Sequence, residues 1–264
     1  MRLDIVFPAH NEEDRIGRTL AAYRHACREA GVRFVVALDS CTDRTADVVR
    51  DHRARDERVH LIEYPRLGKG GVIAETFGRS DADLVGFVDA DGATPPDELM
   101  RLAHTAREAD GAIASRRHPA AVLPARRPLA RQVTSAGFAA VVRRVMRLPY
   151  ADTQCGAKVL RREVVEDVLP RLSARDLLFD VDLLAAAGER GWRIVEVPTV
   201  WIDQEGSRVR PVADTRRMGL GLMRLWARRR MGSLAAGPAG GAPSVSTATS
   251  AASTLDMEAD HVRA

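Results

Sequence analysis

The stretch that decides the fold is Leu84-Val85-Gly86-Phe87-Val88-Asp89-Ala90-Asp91-Gly92-Ala93-Thr94, an apolar run that ends in two carboxylates. A short, continuous apolar run is typical of a parallel strand that is covered on both faces. In an extended chain residues i and i+2 point the same way, so Asp89 and Asp91 face one site across Ala90. Two carboxylates this close raise each other's pKa unless a cation lies between them. The pair therefore predicts a site for Mg²⁺ or Mn²⁺, whereas a plain turn or helix cap is the alternative.

The length of the chain, 264 residues, suits one large domain or two small ones with a sizeable core. The three cysteines, Cys27, Cys41 and Cys155, form no CxxC pair, which argues against a zinc site or a disulfide framework. No signal segment opens the chain and no apolar stretch reaches about 18 residues, so we expect a cytoplasmic protein without a membrane span. Nucleic acid is not an expected partner.

Arginine is unevenly spread along the second half of the chain. Residues 116–147 contain eight arginines and no acid, and residues 208–230 contain eight arginines against Asp214 alone. This bias predicts an anionic partner, either phosphates or an acidic membrane surface on whose inner face the protein would be peripheral. Solvated helix faces are the alternative explanation for the same composition.

The predicted domain spans residues 1–231. Its last part, residues 208–231, is a basic amphipathic segment. Its apolar residues at helical spacing are Met218, Leu222, Leu225 and Trp226. Such a segment either lies in a membrane interface or packs on the domain as a terminal helix. Residues 232–264 are rich in Ala, Gly, Ser, Pro and Thr and predict a disordered tail.

Strand and helix signals alternate along the first half of the chain. Strands are predicted at residues 3–7, 34–38, 59–62, 84–88 and 111–114, with helices between them. This alternation, with short connections, predicts an α/β protein with an open, mostly parallel, doubly wound sheet and helices on both faces. We expect Asn11 to cap the first helix.

The second half has a less regular pattern. It predicts helices over residues 129–148 and 177–187, a strand over residues 157–160 and, because Pro198 interrupts it, an edge strand over residues 192–202. The expected core residues of the first of these helices are Val141, Val145 and Leu148. Asp180 and Asp182 lie in the second helix among apolar residues. Because a lone buried carboxylate is costly, we expect one of them to pair with an arginine or to be functional.

Ligands bind beyond the carboxyl ends of the strands in a sheet of this kind. Residues 8–13, Asp39, Lys69 and residues 89–91 all fall on that edge or beside it. No GxGxxG follows the first strand, which makes a dinucleotide site a poor interpretation. The segment 68–71, Gly-Lys-Gly-Gly, lacks the spacing of a Walker loop, so its glycines either let the backbone approach a substrate or merely begin a helix.

Taken together, these residues resemble the inverting family 2 glycosyltransferases, which have a GT-A fold, over about residues 1–210. Residues 8–13, Pro-Ala-His-Asn-Glu-Glu, are similar to the family's Pro-X-Tyr-Asn-Glu-Glu, and residues 38–45 resemble Asp-Asp-Gly-Ser-Thr-Asp-Gly-Thr. The resemblance implies that Asp39 holds the nucleotide base and that Asp91 and Asp89 bind metal and diphosphate, with Asp91 the first candidate for a direct ligand. The implied residues for the nucleotide sugar, in the half that spans about residues 1–115, are Pro8, His10, Glu12, Glu13, Asp39, Lys69, Asp89, Ala90 and Asp91.

Within that family, the second half, about residues 116–231, resembles the dolichyl-phosphate glucosyltransferase and dolichol-phosphate mannose synthase group. The similar stretches, in the same order, are Ser115-Arg116, residues 152–156 with Lys158, residues 179–184, residues 196–198, and Trp201 followed by residues 206–208. The resemblance implies transfer of a hexose from UDP-glucose to a polyprenyl phosphate. The implied catalytic residues are Asp89, Asp91, Arg116 and Asp180, and the implied acceptor residues are Arg117, Arg131, Asp152, Gln154, Ser207 and Arg208.

The acceptor determines which side chains the chemistry needs. A polyprenyl phosphate is already an anion near neutral pH, since its second pKa is about 6. It needs cations to hold it, for which Arg116, Arg117, Arg131 and Arg208 are candidates. A hydroxyl of a small metabolite or cell-wall precursor would instead need a carboxylate base, for which Asp152, Asp180 or Asp182 would serve. A nucleotidyltransferase and a binding protein without catalysis are the remaining alternatives.

Overall fold

The computed structural model describes residues 1–29, 31–124, 129–202, 204 and 211–236, with the backbone alone at residues 129–134, 211–217 and 232–236. The strands are β1 (Leu3–Ala9), β2 (Val32–Asp39), β3 (Val59–Tyr64), β4 (Leu84–Val88), β5 (Gly111–Ser115), β6 (Ala157–Arg161) and β7 (Ile194–Pro198). The helices are α1 (Ile16–Ala26), α2 (Thr45–Arg53), α3 (Lys69–Arg79), α4 (Pro96–Glu108), α5 (Leu129–Met146), α6 (Arg162–Val168), α7 (Phe179–Glu189) and α8 (Pro211–Ala236).

The seven strands form one sheet in the order β3-β2-β1-β4-β6-β5-β7. The pairs β1–β2, β1–β4, β2–β3 and β5–β7 are parallel, whereas β6 runs antiparallel to both of its neighbours, β4 and β5. The predicted mostly parallel sheet is therefore confirmed. The strand that ends at Pro198 lies at the edge of the sheet, as the proline predicts.

Helices cover both faces of the sheet, which explains why the strands are continuous apolar runs. On one face α1, α2 and α4 pack on Ile5, Phe7 and their neighbours, and on the other α3, α5, α6, α7 and α8 pack on Val6, Val85 and Phe87. On the first face, the Phe7 and Tyr23 rings meet edge to face with centroids 5.1 Å apart. The two layers fix the strand ends that build the site.

Two local predictions are wrong. Asn11 does not cap α1, which begins five residues later at Ile16. Asn11 instead has a φ of 56°, and its Oδ1 accepts a hydrogen bond of 2.8 Å from the Thr42 amide. Asparagine tolerates this left-handed conformation because its short side chain can bond locally, so the residue joins two loops at the sheet edge.

The expected core face of α5 is also partly wrong, since Val141 is 50% exposed and its neighbour Val142 is buried. The residues that face the core are Phe138, Val142 and Val145, at helical spacings of four and three. Because two valines are adjacent in the sequence, the sequence does not decide which of them faces the core. At the other end of the chain, α8 continues to Ala236, five residues past the predicted domain end at residue 231. The predicted tail from residue 237 onward lies outside the described residues.

Helix α8 packs on the domain through one face. Leu222 and Leu225 are buried in the same core as α7, and Arg229 pairs with Asp182 of α7. Of the two alternatives for this segment, a terminal helix that packs on the domain is observed, and contact with a membrane stays a prediction. In the part of the chain that the structure describes, no helix is both long and apolar enough to cross a membrane.

Candidate active site

A cleft lies at the carboxyl ends of β1, β2 and β4, with a volume of about 280 Å³. Its walls are formed by Pro8, Ala9, His10, Glu12, Arg15, Asp39, Lys69, Val72, Asp89, Ala90 and Asp91. Eight of the nine residues predicted for the nucleotide sugar line this cleft. The exception is Glu13, whose Oε2 accepts a hydrogen bond of 2.9 Å from the Arg44 amide. The sheet edge thus gathers the predicted donor residues, and their roles stay predictions.

The Asp89-Ala90-Asp91 turn is held from below by α1. Thr19 Oγ1 donates a hydrogen bond of 2.9 Å to the Ala90 carbonyl, and Gly92 takes a φ of 78° that glycine adopts without strain. Asp91 Oδ1 accepts a hydrogen bond of 3.0 Å from the Ala93 amide. Burial, and then the charge of Asp89, raise the pKa of Asp91 above its usual value. A cation bound between the two carboxylates would relieve both effects.

Lys69 and Gly156 hold Asp89 from two sides. Lys69 Nζ lies 2.5 Å from Asp89 Oδ1. Burial alone would lower the pKa of Lys69, but the carboxylates of Asp89 and Asp180 outweigh it and raise that pKa above its usual value. The Asp89 amide donates a hydrogen bond of 3.0 Å to the Gly156 carbonyl, and a Cβ added to Gly156 would lie 1.9 Å from Asp89 Oδ2. The absence of a side chain at Gly156 therefore makes room for the carboxylate.

The cleft fits a divalent cation that completes its coordination with substrate oxygens. Among the described residues, no group of three or more His, Cys, Asp or Glu side chains could hold a metal alone. Mg²⁺ and similar hard cations are usually held by one or two carboxylates together with substrate phosphates. Since Asp89 is engaged by Lys69, Asp91 is the better placed of the two carboxylates for direct binding.

Asp39 is buried at the end of β2, where it organises the next loop. Its Oδ1 accepts hydrogen bonds from the amides of Leu67 at 2.7 Å and Gly68 at 3.2 Å, and the Arg66 guanidinium lies 3.6 Å from Oδ2. His10 Nδ1 lies 2.7 Å from the Asp39 carbonyl oxygen. The carboxylate predicted to hold a nucleotide base thus also fixes the loop that leads to Lys69.

The glycines around Lys69 permit close packing between two loops. Gly68 has a φ of 79°, and a Cβ added to Gly70 would lie 2.3 Å from Phe179 Cβ. The Gly71 amide donates a hydrogen bond of 3.0 Å to the Arg175 carbonyl. Neither interpretation from the sequence included this role. The glycines let the start of α3, with Lys69, pack directly against the loop before α7.

In the second half of the site, Arg116 and Asp152 form a two-pronged ion pair. Arg116 Nε lies 2.7 Å from Asp152 Oδ2, and Nη2 lies 2.9 Å from Oδ1. Burial would raise the pKa of Asp152, but Arg116 outweighs it and lowers that pKa to about 2. The guanidinium also stacks on the Trp201 ring at 4.9 Å. The predicted acceptor residue Asp152 is therefore tied to the predicted catalytic residue Arg116.

Among the arginines of the predicted acceptor residues, Arg117 is the one whose side chain the structure describes. Its Nη2 donates a hydrogen bond of 2.7 Å to Ser135 Oγ, whereas its buried Nε has no partner within the described residues. Burial, and the neighbouring charges of Arg116 and Arg143, lower the pKa of Arg117 below its usual value. Gln154, two residues after Asp152, is another predicted acceptor residue, and its Nε2 donates a hydrogen bond of 3.4 Å to the Leu177 carbonyl. The Arg131 side chain, Ser207 and Arg208 lie outside the described residues.

Both embedded aspartates of α7 are in ion pairs. Asp182 pairs with Arg229, which confirms the expected arginine partner, and Asp180 Oδ1 lies 2.6 Å from Lys158 Nζ. Lys158 is fully buried and also donates a hydrogen bond of 2.8 Å to the Cys155 carbonyl. The ammonium groups of Lys69 and Lys158 lie 5.7 and 5.4 Å from the centre of the Phe87 ring. Asp180 is thus placed beside the cleft but locked by Lys158.

Sequence reasoning did not assign a site role to Arg15, Gly156 or Lys158. Arg15 lines the cleft and forms a two-pronged pair with Glu12, with distances of 2.7 and 2.8 Å. Lys158 carried a signal, because a lone lysine in the apolar strand 157–160 must find a buried partner. Gly156 carried none, since its contact with Asp89 depends on strand pairing.

The class of protein follows from comparing the fold with solved structures and the sequence with family models. The structure is similar to glucosyl-3-phosphoglycerate synthase from Mycobacterium tuberculosis, solved with Mn²⁺, uridine diphosphate and glucosyl-3-phosphoglycerate. The TM-score is 0.63 at 18% identity, over 86% of this chain and 79% of that one. This similarity shows the GT-A fold. A family model described as Glycosyl transferase family 2 matches residues 4–169, more than half of the chain, so the protein belongs to this family.

Three curated relatives sharpen the resemblance. Glycosyltransferase AglD from Haloferax volcanii is 30% identical over 86% of this chain, which spans 37% of that longer protein. Dolichyl-phosphate beta-glucosyltransferase from Drosophila melanogaster is 30% identical over 88% of this chain and 76% of its own length. Undecaprenyl-phosphate mannosyltransferase from Micrococcus luteus is 29% identical over 78% of this chain and 85% of its own length. The predicted resemblance to this group of the family is confirmed.

Proposed function

We propose that the protein transfers a hexose, with inversion, from a nucleotide sugar to a polyprenyl phosphate. The observation that carries the proposal concerns Asp152, Asp180 and Asp182, the three carboxylates that the sequence offers as candidate bases for a hydroxyl acceptor. Each of them forms an ion pair. An acceptor that is already an anion needs no base. The names of the Drosophila and Micrococcus relatives support the same class of acceptor.

The donor end of the proposed reaction is the cleft around Lys69 and Asp91. Breaking the bond between sugar and diphosphate builds negative charge on the leaving group. Lys69 lies beside Asp89 on the cleft wall and contributes a fixed positive charge there. A divalent cation, Mg²⁺ or Mn²⁺, held by Asp91 with help from Asp89, would supply further charge neutralisation.

The acceptor end of the proposed site is the surface near Arg117. The Asp152 carboxylate already binds two nitrogens of the Arg116 guanidinium. We therefore assign Arg116 the role of holding Asp152 and its loop in place. Arg117 has a buried Nε without a partner in the described chain, and such a donor is costly unless a ligand satisfies it. A phosphate oxygen would satisfy it with a charge-assisted bond.

The sugar and the base are the finer part of the proposal. The Drosophila relative is named for glucosyl transfer and the Micrococcus relative for mannosyl transfer, so relatives at similar identity differ in the sugar. We propose UDP-glucose as the donor because the Drosophila relative, which is named for glucosyl transfer, covers 88% of this chain, whereas the Micrococcus relative covers 78%. Asp39 and the loop over residues 66–68 are the wall on which base preference would depend.

The test is formation of a glycolipid from labelled UDP-glucose and a short-chain polyprenyl phosphate in detergent with Mn²⁺. We expect butanol-extractable label from the wild-type protein and none from Asp91→Asn. Label from GDP-mannose instead would correct the sugar and keep the acceptor. Label only in a water-soluble product with a hydroxyl acceptor, or no product from any donor, would overturn the proposal.

A further inference from the structure

Helix α8 has a second face that points away from the domain. Leu220, Arg224, Ala227 and Met231 follow one another at spacings of four, three and four, which places them on one stripe. Leu222, Leu225 and Arg229 occupy the opposite stripe, which packs on the domain. One face of the helix therefore packs on the core of the domain, and the opposite face lies outside it.

The outward stripe, with Met223 beside it, exposes three large apolar side chains. Leu220 is 64%, Met223 52% and Met231 65% exposed. Large exposed apolar side chains that lie together mark a site of interaction. Apolar area of this kind gains free energy when a partner removes it from water.

Exposed arginines lie on α8 itself and on the neighbouring helix α5. Arg224 and Arg228 are exposed on α8, and Arg144 is exposed on α5, which contacts α8 and packs on the same core. In the described chain no ion pair involves any of these three arginines. The sequence places no acidic residue between positions 215 and 236 or between positions 116 and 147. Over these two stretches of the sequence, the charged side chains are therefore all positive.

We propose that this outward surface, made of Leu220, Met223, Arg224, Arg228 and Met231 on α8 with Arg144 on α5, docks on an anionic membrane. Apolar side chains enter the boundary between headgroups and acyl chains, and the arginines contact lipid phosphates. A second copy of the chain fits less well, because like-charged arginines would face one another without acids to pair with. The inference deepens the proposed function, since a polyprenyl phosphate is itself held in a membrane.

The experiment measures co-sedimentation of the full chain with vesicles of phosphatidylcholine, with or without phosphatidylglycerol. We expect binding to the anionic vesicles, weakened by added salt. Each arginine near such a surface contributes about a five-fold factor, so Arg224→Ala/Arg228→Ala should lower the partition coefficient about 25-fold. Leu220→Ser/Met223→Ser should lower it at low salt as well.

The matched control is Arg18→Ala/Arg107→Ala, which removes two exposed arginines from α1 and α4 on the other side of the sheet. It should bind like the wild type. Equal binding to neutral and anionic vesicles, or equal loss in the control, would overturn the docking surface. A dimer in sedimentation velocity that Leu220→Ser/Met223→Ser abolishes would assign the surface to self-association and overturn it too.

Failure of docking is distinguishable from failure of the proposed function. A short-chain polyprenyl phosphate in detergent needs no vesicle. Turnover of that acceptor without vesicle binding would remove the docking inference alone. Vesicle binding by a protein that glycosylates no polyprenyl phosphate would keep the docking surface and overturn the proposed acceptor.

Discussion

Replacing Gly156 by alanine should displace Asp89 without unfolding the protein. The new Cβ would lie 1.9 Å from Asp89 Oδ2, 2.3 Å from Cγ and 2.8 Å from Oδ1. Ordinary contact begins near 3.4 Å, so the carboxylate must move by 3.4 − 1.9 = 1.5 Å. Gly156 has no positive φ, so alanine suits its backbone. Asp89 is partly exposed and can swing into the cleft, which limits the cost in stability to about 1–3 kcal/mol.

The displaced carboxylate would separate from Lys69 and lose its position beside Asp91. A misplacement of about 1 Å in a site of this kind costs on the order of 100-fold in rate, or roughly 2.7 kcal/mol of transition-state stabilisation. We therefore expect kcat/KM of Gly156→Ala to fall by about that factor. Isothermal titration calorimetry should also show weaker binding of UDP in the presence of Mn²⁺, while urea unfolding remains cooperative.

The matched control is Gly188→Ala in α7. A Cβ at Gly188 meets no atom within 4 Å, and alanine in a helix stabilises it by up to about 1 kcal/mol. This variant should keep both UDP affinity and turnover. If Gly156→Ala binds UDP with Mn²⁺ as tightly as the wild type and turns over at the same rate, then the position of Asp89 does not matter for the site.

Three further predictions concern charged groups. Asp91→Asn should abolish the Mn²⁺-dependent part of the thermal shift that UDP produces. In the wild type, acidification should remove that part at a higher pH than an ordinary aspartate would, because only the deprotonated carboxylate binds a cation and the pKa of Asp91 is raised. A metal-dependent shift retained in Asp91→Asn would contradict this role. The pKa of Asp152 in the folded protein, about 2, is below its value in the unfolded chain. The ion pair therefore contributes roughly 2 kcal/mol of stability above about pH 4, and this contribution should be lost as the pH falls towards 2. Urea unfolding of Asp152→Asn should not show that loss. Lys158→Met should lower the free energy of unfolding by about 3–5 kcal/mol, because it leaves Asp180 buried without its partner. The double variant Lys158→Met/Asp180→Leu should lose less than the sum of the two single variants. Additive losses in urea unfolding would show that the pair is not coupled.

The sequence alone predicts the parts of this fold that depend on local patterns. Continuous apolar runs locate β1 to β5, and the polar residues that follow them locate the cleft. The stretch that ends in Asp89 and Asp91 is a buried strand followed by two carboxylates, as its pattern indicates. These signals are local because a strand buried on both faces needs apolar residues whichever strands lie beside it.

The parts that local patterns leave undecided depend on partners distant in the chain. The register of Val141 and Val142 is settled by the core that α5 meets. The contact between Gly156 and Asp89 exists only because β6 pairs with β4. Lys158 could be recognised as a residue in need of a partner, but that its partner is Asp180 depends on how α7 packs on the sheet.

The antiparallel strand β6 explains how the two halves of the site meet. A parallel strand brings its carboxyl end to the ligand edge of the sheet, whereas an antiparallel strand brings its amino end there. Because β6 runs against β4 with Phe87 opposite Lys158 and Val88 opposite Ala157, the loop 152–156 arrives beside Asp89. A parallel β6 would have carried that loop to the opposite edge. The direction of one strand therefore joins the proposed donor cleft to the proposed acceptor wall, and the contact between Asp89 and Gly156 is where the two halves touch.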